Sequence, residues 1–391
     1  MNRRLVLATI FSVVVLDAAG IGLVLPVLPD LFMAGGHKAS GIGYGLFLSL
    51  YALMQFLFAP LLGSLSDRFG RRPVLMVSMA GAVVNYGLMA LLPPLWLLFV
   101  GRAVAGVSNA NMSVASACLT DITPPEDRAK RFGQLSACFG VGFILGPALG
   151  GVLSQFSLHW PFAIAAVLTL ANLGLAALVL PETRAGGTGG DAPPNPLAPL
   201  RAIASFRGLA PLLVCAGLFA VIGEIGGSVW VLYGEGRFHW HGMTVGLSLA
   251  LFGLFHALVQ AFLVGPLTKR FGERGTLMIA MAADAVSYVA IALISDGVYA
   301  LLLSPLFCVG GAGASVLAAV ISHKADDSRQ GALQGVLSSL GSLAAVIAPV
   351  FFLSLYFATR AVFPGLVWII GAALYLLCLP VLLDRRTYAQ A

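Results

Sequence analysis

The chain has 391 residues, of which 59% are hydrophobic and only 10% are charged, and its mean hydropathy is +0.96. This composition excludes a soluble globular protein and indicates an integral membrane protein. The net charge of +6 does not indicate nucleic-acid binding, because the basic residues are spread over short turns instead of forming one patch.

Apolar runs follow one another along nearly the whole chain, each long enough to cross a bilayer as a helix of roughly 20 residues. We predict membrane-spanning helices near 5–29, 42–63, 73–92, 95–118, 133–155, 160–181, 209–233, 244–266, 275–295, 297–320, 332–357 and 362–383. The Gly- and Pro-rich segment between the sixth and seventh runs is typical of a linker. The predicted organisation is a six-helix half at 1–181, a cytoplasmic linker at 182–208 and a second six-helix half at 209–391.

The distribution of Lys and Arg predicts which turns face the cytoplasm. If the N-terminus is inside, the outer turns hold only Lys38, Arg237 and Arg360, and Arg102 lies within a span. The other 18 of the 22 basic residues then fall in inner segments. We therefore expect both termini in the cytoplasm and a cytoplasmic turn at the charged stretch 63–72.

Two parts of the chain repeat each other at an offset of 202 residues. The stretch Gly63-x-Leu-Ser-Asp-Arg-Phe-Gly-Arg-Arg72 reappears as Gly265-x-Leu-Thr-Lys-Arg-Phe-Gly-Glu-Arg274. At the same offset, Gly133, Leu135, Ser136 and Pro147 correspond to Gly335, Leu337, Ser338 and Pro349. Halves that repeat in the same orientation predict two parallel six-helix repeats about an axis along the membrane normal, with a central cavity between them. This is the layout of a transporter.

Three motifs resemble those of the major facilitator superfamily, and specifically of its twelve-span drug:proton antiporters. They are the turn Gly63–Arg72, the span-four motif Gly101-Arg102-x-x-x-Gly106 and the span-five motif Gly142-x-x-x-Gly146-Pro147-x-x-Gly150-Gly151. The resemblance implies an all-α membrane protein with the major facilitator fold and 12 transmembrane helices.

Within that group the chain is most similar to the tetracycline:proton antiporters, over nearly its whole length. The similarity is carried by Asp17-Ala-x-Gly20-x-Gly22-x-x-x-Pro26-Val-Leu-Pro29, Tyr51-Ala-Leu-Met-Gln55, Ser136-Ala-Cys-Phe-Gly140, Gly234-Glu-x-Arg-Phe-His-Trp240, Leu254-x-His256 and Met281-Ala-Ala-Asp284. The chain departs from the family pattern at Asn85, where an acid is usual, at Ser108–Met112, and in span seven at Glu224 and Gly227.

Ionisable side chains inside a span persist mainly where they face a cavity or a partner. Asp17 and Asp284 lie near the middle of their spans by helical rise, where desolvation favours the neutral form of a carboxylate. We interpret both as sites for a proton or a cationic substrate; the alternative is a static partner of a neighbouring polar group.

For Arg102 the resemblance implies a role in proton coupling; the alternative is a snorkelling arginine. Glu224 is a candidate for altered proton coupling or substrate charge preference, and a structural role is equally open.

Uncharged polar side chains within the spans predict a substrate site, and the set comprises Tyr51, Gln55, Asn85, Asn109, Asn111, His256 and Gln260. Residues four apart share a helix face, so His256 pairs with Gln260 and Tyr51 with Gln55. For any single member, an interhelical hydrogen bond is the alternative explanation.

For the turn after span two the resemblance implies a cytoplasmic gate, and the gating residues are Gly63, Asp67, Arg68, Gly70, Arg71 and Asp121. We expect Asp67 to accept hydrogen bonds from the amino end of a neighbouring helix and Arg71 to pair with Asp121. Anchoring by positive charge alone is the alternative for Arg68 and Arg72. In the second copy Lys269 replaces Asp67, and Glu273 replaces Arg71. The contacts of that copy should therefore be weaker or involve different partners.

In span five, Gly142, Gly146 and Gly150 recur every four residues and predict a smooth face for close helix packing, bent at Pro147. The five cysteines predict neither a disulfide framework nor a metal site. Nucleotide-binding loops and metallohydrolase signatures were sought and not found.

The sequence therefore predicts a bacterial inner-membrane antiporter, not an enzyme, that exports a small amphipathic drug, most closely tetracycline, by alternating access. It would use the proton gradient and no cofactor, with the drug carried free or as a divalent-metal complex. The expected partners are drug, protons and lipid, without nucleic acid or an obligate protein partner. The alternatives are an exporter of the same fold for another drug, a sugar or a metabolite, and a non-transporting sensor or membrane-embedded enzyme.

Overall fold

The computed structural model describes residues 3–34, 40–92, 94–109, 111–183, 195, 198–326 and 329–384, and these residues are almost entirely helical. The helices in the first half of the sequence are α1 (Arg3–Val24), α2 (Leu28–Ala34), α3 (Gly41–Phe69), α4 (Arg71–Ala90), α5 (Leu95–Ser108), α6 (Asn111–Ile122), α7 (Pro125–Ser154) and α8 (His159–Val179). Those in the second half are α9 (Ala198–Ala202), α10 (Ala210–Phe238), α11 (Gly242–Leu258), α12 (Val264–Leu293), α13 (Gly297–Leu302), α14 (Ser304–His323), α15 (Gln330–Thr359) and α16 (Leu366–Leu383).

Within the described residues, ten helical segments are long and apolar enough to cross a membrane. One of them, Gly242–Leu293, covers two predicted spans. The predicted span at 95–118 is not one helix: it is divided into α5 and α6, with Asn109 non-helical at ψ 85°. The predicted span at 297–320 is also divided, into α13 and α14, at Leu303. The predicted spans therefore map onto the structure, with breaks that hydropathy alone does not reveal.

Contacts between residues divide the chain into two compact units. The first comprises Met1–Lys38, Leu50–Pro196 and His241–Gly253, and the second comprises Ala39–Ser49, Leu197–Trp240 and Leu254–Ala391. The proposed division at 181 and 208 stays a prediction. Residues 184–194, 196 and 197 of the predicted linker lie outside the described residues. Its last part, from Ala198, is helical and belongs to the second unit.

Two segments belong to the unit formed mainly by the other half of the chain: Ala39–Ser49 lies in the second unit and His241–Gly253 in the first. Small residues allow both segments to pack closely there. In the second unit the start of α3 lies against α15, where a Cβ on Gly45 would be 2.6 Å from the Val350 Cα and Ser49 donates a 2.6 Å hydrogen bond to the Val346 carbonyl. In the first unit α11 lies against α7, where a Cβ on Gly246 would be 2.9 Å from the Gly151 Cα. Packing of small surfaces is the main source of helix association in lipid.

The sequence repeat has a structural counterpart in each unit. Among the described residues, the two glycines with positive φ are Gly70 (φ 102°) and Gly272 (φ 70°), and they are 202 residues apart. Each ends one helical stretch and begins the next, which a residue with a Cβ does only at the cost of strain. The predicted cytoplasmic turns are therefore much shorter than the motifs, because the residues around each glycine are helical.

Candidate functional site

The first unit contains the predicted carboxylate Asp17, half-buried on α1. Asn111, the first residue of α6, donates from its Nδ2 to the Asp17 Oδ1 at 2.6 Å. The break at Asn109 places the amino end of α6 beside this carboxylate, and such an end favours negative charge. The segment Ser108–Met112, which departs from the family pattern, thus builds the surroundings of Asp17.

Arg102 and Tyr51 form the opposite part of this site. The Arg102 guanidinium lies 4.9 Å from the centre of the Tyr51 ring, a cation–π distance. The Tyr51 hydroxyl accepts a hydrogen bond from the Asn109 Nδ2. Gly106 permits this approach of α5 to α3, because a Cβ there would be 2.7 Å from the Met54 Cβ.

A cavity of about 220 Å³ lies among these groups, inside the first unit. Its polar lining is Asp17, Tyr51, Ser78, Asn85, Arg102, Ser108, Asn109 and Asn111. The remainder of the lining is aliphatic or aromatic, including Ile21 and Tyr86. Apolar walls with a few convergent polar groups are typical of small-molecule sites. The structure thus gathers six of the predicted residues, and Gln55 is not among those that line the cavity.

Two amide oxygens at this cavity have no hydrogen-bond donor among the described residues. They are Asn85 Oδ1 and Asn111 Oδ1, both buried, on residues only 4% and 3% exposed. A buried acceptor without a donor is costly and calls for an explanation, such as a bound molecule or water. Together with the Asp17 carboxylate, these acceptors suit a ligand that donates hydrogen bonds or carries positive charge.

The glycine face of α7 packs against the segment of α1 that carries Asp17. A Cβ on Gly146 would be 2.5 Å from the Ala19 carbonyl oxygen, and one on Gly22 would be 2.6 Å from the Pro147 Cδ. Gly142 and Gly150 meet α1 in the same way, at Val15 and Leu23. The predicted close packing is confirmed, and its partner is the helix of the cavity carboxylate.

The residues predicted to form a gate are connected in the first unit. Arg71 donates to Asp67 at 2.7 Å, to Asp121 at 3.3 Å and to the Ser66 hydroxyl at 2.6 Å. Arg71 is the first residue of α4, just after Gly70. The predicted contact between Arg71 and Asp121 is therefore present in the structure.

Glu182, not singled out by the sequence, accepts from the backbone amides of Arg71 and Arg72 at 2.8 and 3.2 Å. It thus stabilises the amino end of α4, as a carboxylate does at a helix dipole. A Cβ on Gly70 would collide with this carboxylate. Arg68 is exposed and lies over the Phe69 ring at 5.3 Å, and no neighbour lies within 4 Å of a Cβ built on Gly63.

The remaining predicted residues belong to the second unit. His256 on α11 lies next to Gly311 of α14, and Gln260 donates to the Ser315 hydroxyl at 3.4 Å. Gly311 and Ser315 are one turn apart, so His256 and Gln260 share a face as their spacing predicts. Gln260 belongs to a π-helical segment, Val259–Leu263, a feature often found at functional sites.

Glu224 and Asp284 have contrasting surroundings in this unit. Ser228 donates to the Glu224 backbone carbonyl at 2.7 Å and not to its carboxylate. Asp284 is 5% exposed and accepts from the Tyr375 hydroxyl at 2.5 Å. Tyr375 was not predicted, because 91 residues separate it from Asp284 and no local pattern connects them.

Comparison with known proteins assigns the family. The sequence model of the Major Facilitator Superfamily matches residues 10–349 and 212–391 of this chain. The tetracycline resistance protein of class C from Escherichia coli is 47% identical over 398 residues, covering 100% of this chain and 99% of that protein. The class G protein from Vibrio anguillarum is 47% identical over 385 residues, with 97% of each chain covered.

The chain belongs to the major facilitator superfamily and to its tetracycline resistance family. The resemblance inferred from the motifs is confirmed. The family's fold is also that of solved structures: the nucleoside transporter NupG has a TM-score of 0.82 at 14% identity, covering 98% of this chain and 100% of that one. The human organic anion transporter MFSD10 has a TM-score of 0.67 at 24% identity over the same shares. At these identities the likeness concerns the fold alone.

Membership in this family makes the chain a multi-pass membrane transporter. Among its described residues, no group of three or more His, Cys, Asp and Glu side chains comes together as a metal site. The site residues were predicted as single positions, and the structure adds the neighbours that hold them: Glu182 at the gate and Tyr375 at Asp284. Only polarity within an apolar run could have suggested Tyr375.

Proposed function

We propose that this protein exports tetracycline across the bacterial inner membrane in exchange for protons, with both termini in the cytoplasm. Its curated relatives at 47% identity are tetracycline resistance proteins, and they match the chain over essentially its full length. The drug would travel free or as a complex with a divalent cation.

The observation that carries the proposal is the polar cavity around Asp17. Its buried acceptors, Asn85 Oδ1 and Asn111 Oδ1, lack donors among the described residues, and apolar side chains line the part of the cavity that its polar groups leave. An amphipathic molecule with hydroxyl, amide and amine donors satisfies both features. The cation–π contact of Arg102 with Tyr51 gives the same cavity a fixed positive charge.

Coupling follows from the chemistry of Asp17. In its charged form the carboxylate attracts a cationic or metal-bound drug, and in its neutral form that attraction is lost. The affinity difference between the two protonation states is what links the two flows. Asp284 provides a second carboxylate for protons, and Arg102 and Glu224 are the further groups that we assign to this coupling.

A susceptibility panel in a pump-deficient bacterial host tests the substrate. We expect the wild-type chain to raise tolerance to tetracycline and Asp17→Asn to lose that effect at equal membrane expression. Tolerance to a different class of compound, without tetracycline, would favour an exporter of another substrate on the same fold.

Binding to the purified protein tests the site itself. Tetracycline, with and without Mg²⁺, should bind to the wild type and bind more weakly to Asn111→Leu, which removes the donor to Asp17. Asn172→Leu is the matched control, because Asn172 is equally buried in the first unit but bonds to Ser12 away from the cavity. Equal affinities for all three proteins would contradict the assignment of the cavity.

A further inference from the structure

The Asp284 carboxylate lies at a close approach of α12 and α14 within the second unit. Asp284 is 5% exposed, and a Cβ added to Gly310 of α14 would be 2.5 Å from its Oδ1. Gly310 therefore leaves just enough room for the carboxylate, and a larger residue would displace it. A charged carboxylate here has lost most of its contact with water, so its neighbours decide how easily it ionises.

Tyr375 of α16 is the neighbour that donates to this carboxylate. Its hydroxyl lies 2.5 Å from the Asp284 Oδ2, and its side chain is buried, with the residue 4% exposed. The Phe219 ring meets the Tyr375 ring edge-on, with 5.0 Å between centroids. The ring is thus held from α10 while the hydroxyl is held by Asp284, so the donor is fixed in place.

Three other titratable groups lie on Asp284's own helix or on neighbouring helices: Tyr288, Cys308 and His256. Tyr288, one turn along α12, donates its hydroxyl to the Ile222 carbonyl at 2.9 Å. Cys308 of α14 is a buried thiol, and His256 of α11 lies against Gly311, the residue after Gly310. The ion pairs found among the described residues do not include Asp284.

We propose that Tyr375 is a positioning residue for proton exchange at Asp284, which holds the carboxylate in its charged form through a direct hydrogen bond. The inference rests on the proposed function, because it concerns the proton step of the same exchange. Asp284 gains or loses the proton, and Tyr375 keeps its own O–H throughout. A donor to the charged form favours ionisation, so Tyr375 sets the pH range over which Asp284 releases its proton.

The test is the pH profile of proton-driven tetracycline accumulation in inverted membrane vesicles. In Tyr375→Phe the donor is lost, so Asp284 should keep its proton to higher pH, and the half-maximal point of the profile should move up by about one pH unit. Tyr356→Phe is the matched control: its hydroxyl is equally buried in the same unit and donates to the Leu232 carbonyl at 3.0 Å. Its profile should overlay that of the wild type.

Asp284→Asn separates the two levels of the proposal. Loss of coupling in Asp284→Asn with an unmoved profile in Tyr375→Phe would overturn the role of Tyr375 alone, whereas full coupling in Asp284→Asn would overturn the proposed proton site. If Tyr375→Phe does not give a folded protein, Tyr375→Gln keeps a neutral hydrogen-bond donor that does not titrate. Its profile should then lie near that of the wild type, and a profile displaced by a full unit would contradict the inference.

Discussion

At the scale of single residues, the cavity of the first unit holds polar groups that do not stabilise the fold. Asn85 is 4% exposed and its Oδ1 has no donor among the described residues. An unpaired buried acceptor carries its full desolvation cost, and replacing it with an apolar side chain of similar shape removes that cost. A residue that lowers stability in this way is understandable if it contacts the transported molecule.

Asn85→Leu should therefore stabilise the protein and impair it at the same time. We expect its free energy of unfolding in detergent to rise by about 1 kcal/mol, while tetracycline transport in vesicles falls. Asn172→Leu is the control, because Asn172 accepts from the Ser12 hydroxyl at 3.1 Å. It should lose stability instead. If Asn85→Leu proves less stable than the wild type, the oxygen has a partner that this account omits.

At the scale of helices, the packing of α7 on α1 positions Asp17. The glycines of α7 bring its backbone against residues on both sides of Asp17, so any shift of α7 moves that carboxylate. Interiors of this kind transmit displacement because they have few voids. We propose that the span-five motif acts by fixing the distance between α1 and α7.

Gly146→Ala should lower both the stability of the protein and its transport activity, and the loss of transport should be the larger effect. The new methyl group would meet the Ala19 carbonyl at 2.5 Å and the Gly22 Cα at 2.9 Å, and overpacking of this kind costs about 1–3 kcal/mol. Gly140→Ala on the same helix has no neighbour within 4 Å and should be neutral or slightly stabilising. Comparable vesicle transport by the two variants would refute this role for the glycine face.

The two copies of the gate differ in chemistry but not in position. Adding the repeat offset of 202 to Arg71 and Asp121 gives Glu273 and His323, and these two residues also form a pair, with 2.8 Å between His323 Nδ1 and Glu273 Oε1. In the second copy a carboxylate stands at the position of Arg71 and an imidazole at the position of Asp121. The side chains of Arg71 and Asp121 are 10% and 23% exposed, whereas those of His323 and Glu273 are 71% and 31% exposed.

The first gate should therefore matter more than the second. In a double-mutant cycle on unfolding, we expect a coupling energy above about 1 kcal/mol for Arg71 with Asp121 and below about 0.5 kcal/mol for Glu273 with His323. For the same reason Asp67→Asn should reduce vesicle transport far more than Lys269→Gln. Equal losses of transport in Asp67→Asn and Lys269→Gln would contradict the predicted difference between the two copies.

The sequence could predict features that depend on local composition and could not predict those that depend on distant contacts. Hydropathy located the helices, and the offset of 202 located both positive-φ glycines. The same offset would have found His323 from Asp121. The break at Asn109 escaped because its cause is the hydrogen bonding of Asn109 and Asn111 with Tyr51 and Asp17, on other helices.

At the scale of the whole molecule, the account describes an antiporter in which a carboxylate binds either a proton or the drug. Membership of the tetracycline resistance family rests on identity over the full chain. The buried acceptors at the cavity explain why a polar drug would leave water for this site.

The most direct test is drug movement in proteoliposomes that contain the purified protein and a chosen pH gradient. We predict that tetracycline accumulates against its concentration gradient when the pH gradient is imposed. Addition of tetracycline should move protons in the opposite direction to the drug. Asp17→Asn should abolish both effects. Tetracycline accumulation by Asp17→Asn with undiminished proton movement would contradict the account.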